Sequence, residues 1–148
     1  MAYKLECSTL VSAAVLLFTS LAAHADPYRL WAGEVSKATK GLEICADAYA
    51  DAIGNGHDQR ERKKYSVEAA KSCGALKIKF DATMLAVRTN VNDLDDVLRA
   101  YHQLGIEAFK QLEPKPNQHP LSYLESSKEI ILAVSQMHFR LVALDGGR

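Results

Sequence analysis

The chain has 148 residues, 48% of them hydrophobic and 24% charged, and its 18 basic and 18 acidic side chains leave no formal net charge. A neutral chain lacks the basic face that nucleic-acid binding usually requires, so no nucleic-acid partner is predicted. Beyond residue 25, no apolar stretch approaches the roughly 18 residues of a transmembrane helix. The remainder of the chain is therefore predicted not to insert stably into a membrane.

Residues 1–25 have the three parts of a secretory signal peptide. Lys4 lies in the short N-terminal part, an apolar run follows from Leu10 to Ala23, and Ala23 and Ala25 form an A-x-A cleavage site. We therefore predict that the signal peptide is removed and that the protein is periplasmic or secreted. The alternative is an uncleaved membrane anchor, because residues 7–25 are together about as long as a membrane span.

Segment 26–148 is predicted to be a single helical-bundle domain, since about 120 residues can bury a substantial core. Apolar residues in its first part recur at alternating steps of four and three, which is one face of a helix. This first stripe comprises Trp31, Val35, Ala38, Leu42, Cys45, Tyr49 and Ala52. Gly54, Asn55 and Gly56 are expected to end the helix.

A charged segment, residues 57–64, follows and is predicted to be a solvated loop, with contact to an anionic partner as the alternative. The second helix is expected to begin near Ser66. Its stripe comprises Ala69, Cys73, Leu76, Phe80, Thr83 and Val87, with Met84 beside it. Residues 76–80 also alternate with a period of two, as a strand would, but the helical phase continues on both sides of them.

The third helix is expected to be capped by Asn92 or Asn90, with three aspartates in its first turn. Its stripe comprises Leu94, Leu98, Tyr101, Gly105, Ala108 and Leu112, broadened by Val97, Leu104 and Phe109. Three prolines in segment 114–120 forbid a continued helix.

A capping box of Ser122 and Glu125 is expected to open the fourth helix. That helix has the face Ile130, Val134, Met137, Leu141 and Leu144, with Leu124 and Ile131 alongside. The predicted fold is all-α, an up-down-up-down four-helix bundle.

Cys45 and Cys73 lie on the inward stripes of the first two helices, and an oxidising compartment favours a disulfide between them. In a symmetric hairpin, a second helix that begins near Ser66 puts both cysteines at the same height. A start at Asp58, where Asp58 and Glu61 resemble a capping box, would move Cys73 too far from the turn. We therefore predict a Cys45–Cys73 disulfide, with two buried free thiols as the alternative. The pair lacks the C-x-x-C spacing of a redox site.

No cofactor or metal is predicted. His57 and His119 fall in loops, while His102 and His138 border the third and fourth stripes at different heights, so they do not form an evident metal site. There is no C-x-x-C-H haem-attachment motif. One alternative is a non-covalent haem held by His102 or His138, with Met84 or Met137 as the other axial ligand. Methionine in a helix stripe more often fills space in the core.

No catalytic motif is present, since the chain contains neither a phosphate-binding loop nor a G-x-S-x-G elbow. The sequence favours a non-enzymatic, exported helical binding module that acts by protein-protein contact, such as an inhibitor, an immunity factor or an accessory subunit. Another protein is its predicted partner. The alternative is a periplasmic carrier or sensor that holds haem, metal or a small apolar ligand within the bundle.

Overall fold

The structure, a computed structural model, describes residues 27–146. The predicted signal peptide and its cleavage site lie outside these residues. Four helices make up the described chain: α1 (Pro27–Gly54), α2 (Gln59–Asn90), α3 (Asp95–Gln111) and α4 (Pro120–Gly146), with a 3-10 turn at Asn92–Leu94 before α3. Within residues 27–146, none of the four helices contains an apolar stretch that could span a bilayer.

The helices form the predicted all-α four-helix bundle. α1 packs most extensively on α2 and then on α4, α3 packs on α2 and α4, and α1 and α3 make few contacts because they lie diagonally opposite. This order around the ring is what short connections between successive antiparallel helices produce. The alternative of a strand at residues 76–80 is wrong, since this segment lies in the middle of α2.

Most residues of the predicted stripes form the core, but Leu144, Leu124 and Leu104 are exposed, at 48%, 38% and 36%. Tyr28 and Tyr123, which belong to no predicted stripe, are buried. Val35, Leu42 and Cys45 of α1 are fully or almost fully buried, and so are Phe80 of α2 and Leu98 of α3. Further buried core residues are Ala38, Tyr49, Ala52, Ala69, Cys73, Met84, Val87, Leu94, Tyr101, Ala108, Phe109, Leu112, Val134 and Leu141. Burial of these apolar surfaces is the main force that holds the four helices together.

The second helix begins earlier than predicted. Asp58 is its N-cap, and its carboxylate accepts the backbone N–H of Glu61 at 2.8 Å, while Glu61 Oε2 accepts the backbone N–H of His57 at 3.2 Å. Most of the predicted loop 57–64 is therefore helix, and the expected start near Ser66 is wrong. These reciprocal bonds satisfy backbone donors that a helix start leaves unpaired, which is why the early start is stable.

Helices α3 and α4 also begin at other residues than expected. The α3 N-cap position is Leu94, which makes no side-chain capping bond, while the Asn90 side chain donates to the Ala86 carbonyl inside α2. α4 begins at Pro120, two residues before the expected capping residue. There, Nδ1 of His119 accepts the backbone N–H of Leu121 at 3.3 Å. Proline is well suited to a first helical position because its missing N–H would be unpaired there anyway.

Candidate functional site

The predicted disulfide between the first two helices is confirmed. The sulfur atoms of Cys45 and Cys73 lie 2.14 Å apart, and their Cα atoms are separated by 5.0 Å. Both cysteines are buried between α1 and α2. This pair is compatible with an extracellular location, where disulfides persist. The bond joins α1 covalently to α2, and a buried disulfide offers no thiolate for chemistry.

The buried His102 lies in a polar network between α2 and α3. Its side chain is only 9% exposed, its Nε2 atom lies 2.7 Å from Oδ1 of Asp81, and its Nδ1 atom lies 3.5 Å from a guanidinium nitrogen of Arg88. Arg88 donates to Asp95 at 3.1 Å, and Arg99 donates to the same carboxylate at 2.6 Å. The hydrogen bond from Arg99, followed by that from Arg88, lowers the pKa of Asp95. Because both ring nitrogens of His102 face partners, the network joins helices and leaves no nitrogen open to a ligand.

A second buried polar group links α1, α3 and α4. The hydroxyl groups of Thr39 and Tyr101 form a hydrogen bond, and burial raises the pKa of Tyr101 to about 12. The Tyr101 ring contacts His138, with centroids 5.8 Å apart. Nε2 of His138 is buried without a hydrogen-bond partner in the described chain, and burial lowers the pKa of this imidazole.

The four histidines within residues 27–146 do not converge on a metal site. His102 and His138 lie at different helix interfaces, His57 lies in the α1–α2 loop, and His119 caps α4. Among residues 27–146, no group of three or more histidine, cysteine, aspartate or glutamate side chains is placed to hold a metal ion. Met84 is fully buried in the core cluster, where methionine commonly fills space.

A cleft opens at the end of the bundle that carries the α1–α2 and α3–α4 loops; we call it the end cleft. Its volume is about 810 Å³. It is lined by Tyr49, Ala52, Ile53, His57, Asp58, Gln59, Arg62, Lys63, Ser66, Ala70 and residues 113–118. The early start of α2 creates one wall. Cys73 lies about 21 Å from the α2 start, but Cys45 lies only about 13 Å from the α1 end, so α2 extends beyond α1 by about one and a half turns.

The residues that line the end cleft are of two kinds. Tyr49, Ala52, Ile53 and Ala70 supply apolar or aromatic surface, whereas Arg62, Lys63 and Lys115 supply positive charge. Asp58 and Glu113 are the two acidic residues that line it. Burial raises the pKa of Tyr49, and the negative charge of Glu113 adds to this effect. The cleft therefore combines apolar surface with charged groups of both signs.

A second candidate surface is the outer face of α4. Exposed large apolar side chains follow this helix on the side away from the core, and α4 carries more of them than any other described helix. We call the stripe of Leu121, Leu124, Leu132, Phe139 and Val142 the outer α4 stripe. Phe139 is 75% exposed, Leu121 65% and Leu132 57%. At 100° per residue, Phe139 lies about 140° around the helix from the buried Val134.

No protein family, curated protein or solved structure matches this chain. The sequence located the cysteines, and it indicated the charged segment 57–64, part of which lines the end cleft, but it predicted neither the cleft nor the outer α4 stripe. The Asp58 and Glu61 capping box was the signal for the wall of the end cleft. The signal for the outer α4 stripe was a second apolar periodicity beside the core face, marked by Leu132 and Phe139 at a spacing of seven.

Proposed function

We propose that the mature chain, residues 26–148, is an exported, non-enzymatic binding module, periplasmic or secreted, that docks on another protein through the outer α4 stripe. The observation that carries this proposal is the exposure of large apolar side chains along one face of α4. A contiguous apolar patch on a soluble domain costs free energy in water, and such patches commonly mark protein-protein contacts.

The arrangement of the stripe favours a particular type of contact. Leu132, Phe139 and Val142 repeat at steps of seven and three, which places them on one side of successive helical turns. This is the spacing with which an amphipathic helix anchors itself in an apolar groove of a partner. Lys128 and Arg140 lie near the stripe together with Glu125 and Glu129, so the rim contains both signs of charge. The proposed partner therefore offers an apolar groove with a mixed polar rim.

The disulfide supports the proposed exported location. A buried disulfide between α1 and α2 persists in the oxidising environment outside the cytoplasm. Intact-mass measurement on protein from the exported fraction of the native host is expected to give the mass of residues 26–148. A mass that includes residues 1–25 would contradict signal cleavage.

Photo-cross-linking tests the docking surface. The photoreactive residue p-benzoylphenylalanine replaces Phe139, Leu132 or, as a control, Leu30, which is 76% exposed on α1. Irradiation in the native host is expected to join positions 139 and 132 to the same partner protein, identified by mass spectrometry, and not position 30. The purified partner is then titrated by calorimetry with the wild-type protein and with Phe139→Ser, Leu132→Ser and Leu30→Ser.

Loss of an apolar anchor at the centre of an interface commonly weakens binding by about tenfold or more. We expect losses of this size for Phe139→Ser and Leu132→Ser, and none for Leu30→Ser. The substituted side chains are exposed, so the fold is expected to persist, which circular dichroism checks. Equal affinity for all three variants, or cross-links only between copies of this chain, would contradict the proposal.

A further inference from the structure

We propose that the end cleft binds a small organic anion, whose apolar body lies on Tyr49, Ile53 and their neighbours and whose acidic group faces Lys63 and Lys115. This site is distinct from the outer α4 stripe, and it does not depend on the proposed docking function. The volume of about 810 Å³ lies within the range of about 300–1,000 Å³ typical of small-molecule sites.

The basic residues at the start of α2 are the first support. Arg60 and Arg62 lie in its first turn, where the positive end of the helix dipole disfavours cations, and Lys63 and Lys64 follow directly. Residues that depart from a local structural preference, as basic residues at a helix N-terminus do, often serve a function. Two of these cations, Arg62 and Lys63, line the end cleft.

The carboxylates in the lining do not neutralise its basic residues, because Arg62, Lys63 and Lys115 outnumber Asp58 and Glu113. The Asp58 carboxylate faces the α2 N-terminus, where it accepts the backbone N–H of Glu61. Glu113 lies near Tyr49, on the α1 side. Neither Lys63 nor Lys115 forms an ion pair within the described chain. The acidic group of a ligand is therefore attracted to the two lysines and repelled by Glu113.

Both walls of the cleft are held in place before a ligand binds. Arg62 Nε donates to the Gly56 carbonyl at 2.9 Å. A Cβ atom at Gly56 would lie only 2.1 Å from Cγ of Arg62, so this approach requires glycine. On the other wall, the backbone N–H of Lys115 donates to Oε1 of Gln118 at 3.0 Å, and the backbone N–H of Gln118 donates to the Lys115 carbonyl at 3.1 Å. Walls that are already ordered reduce the entropy lost on binding.

A pair of fluorescent probes tests the proposal. 8-Anilino-1-naphthalenesulfonate is an aromatic anion, and N-phenyl-1-naphthylamine has the same rings without the sulfonate. Each probe is titrated into the mature protein and into variants, with fluorescence and calorimetry as readouts. The anionic probe is expected to bind one molecule per chain with a Kd below about 1 mM.

The variants separate charge at the cleft from apolar adhesion elsewhere. Lys63→Gln combined with Lys115→Gln is expected to weaken binding of the anionic probe by about five- to tenfold. The affinity for the neutral probe is expected to change by less than about twofold. Glu113→Gln is expected to strengthen binding of the anionic probe, because it removes a negative charge from the site. Lys71→Gln, a control on an exposed part of α2, and Phe139→Ser, on the outer α4 stripe, are expected to have no effect.

Several results would overturn the proposal. One is a double lysine variant that binds the anionic probe as well as the Lys71→Gln control does. Another is a loss of binding on Phe139→Ser, which would move the probe to the outer α4 stripe. The proposal would also be overturned if Glu113→Gln weakened binding of the anionic probe, or if no saturable site had a Kd below about 1 mM. Circular dichroism shows that each variant is folded.

Discussion

Gly105 of α3 lies directly against the ring of Phe80 from α2. A Cβ atom at position 105 would lie 2.2 Å from Cζ and 2.4 Å from Cε1 of that ring. Phe80 cannot move aside easily, because it is fully buried and its ring contacts those of Tyr101, His102 and Phe109. The glycine therefore permits the close approach of α2 and α3 at the centre of the bundle.

Gly105→Ala is expected to destabilise the protein by about 1–3 kcal/mol, the usual cost of overpacking a core. This effect opposes the gain of up to about 1 kcal/mol that alanine brings to a helix interior. Gly74→Ala provides the matched control, since a Cβ there meets nothing within 4 Å. It is expected to stabilise the protein by about 0.5–1 kcal/mol. Urea denaturation followed by circular dichroism measures both values, and a stabilising Gly105→Ala would refute the packing argument.

The disulfide is expected to contribute strongly to stability. Cys45 and Cys73 are 28 positions apart, and closing a loop of that length stabilises a folded chain by about 3–4 kcal/mol in the chain-entropy model. Reduction is therefore expected to lower the urea midpoint clearly while helix content without urea is retained. The double variant Cys45→Ala with Cys73→Ala should be insensitive to reductant, which makes it the control. Two free thiols in the denatured, unreduced mature protein would show that the bond is absent.

The sequence predicted the helices and their core faces well, because the apolar periodicity of α1 and α2 records which side of each helix is buried. Leu42 and Phe80, both on predicted stripes, are at most 1% exposed. Periodicity could not place the helix ends, which depend on a few local hydrogen bonds. The His119 cap of α4 is an example, since imidazole is an uncommon capping group.

The disulfide prediction was right, although the height argument behind it used a wrong start for α2. That argument assumed that α2 begins at the same height in the bundle at which α1 ends. The structure satisfies the disulfide with an asymmetric hairpin, in which α2 begins at Gln59 and extends beyond Gly54. Neither helix periodicity nor cysteine spacing contains this offset. The Asp58 and Glu61 capping box did indicate it, but the assumption of a symmetric hairpin excluded that start, and with it the wall of the end cleft.

The hydrogen bond between Thr39 and Tyr101 is expected to show an asymmetry between its two partners. Thr39→Val leaves the buried Tyr101 hydroxyl without this partner, at a cost of about 1–3 kcal/mol. Tyr101→Phe removes the hydroxyl itself and is expected to cost only about 1 kcal/mol. Adding Thr39→Val to Tyr101→Phe should then have little further effect. Urea denaturation of the four proteins gives this double-mutant cycle, and fully additive losses would show that the two hydroxyls are not coupled.

The last prediction concerns acid sensitivity at His138. Burial lowers the pKa of His138 below its ordinary value of 6.5, so the folded protein binds fewer protons than the unfolded chain. Stability is therefore expected to fall as the pH drops through about 6.5 and on towards the folded pKa.

His138→Phe keeps an aromatic ring beside Tyr101 and removes the titrating group, together with the buried Nε2 atom that lacks a partner in the described chain. The loss of unfolding free energy between about pH 8 and about pH 5 is expected to be smaller for this variant than for the wild-type protein. His57→Gln, at an exposed loop position, serves as the control and should keep the wild-type pH dependence. Urea denaturation at the two pH values measures the difference, and an identical loss in the wild-type protein and His138→Phe would show that His138 is not the acid-sensitive group.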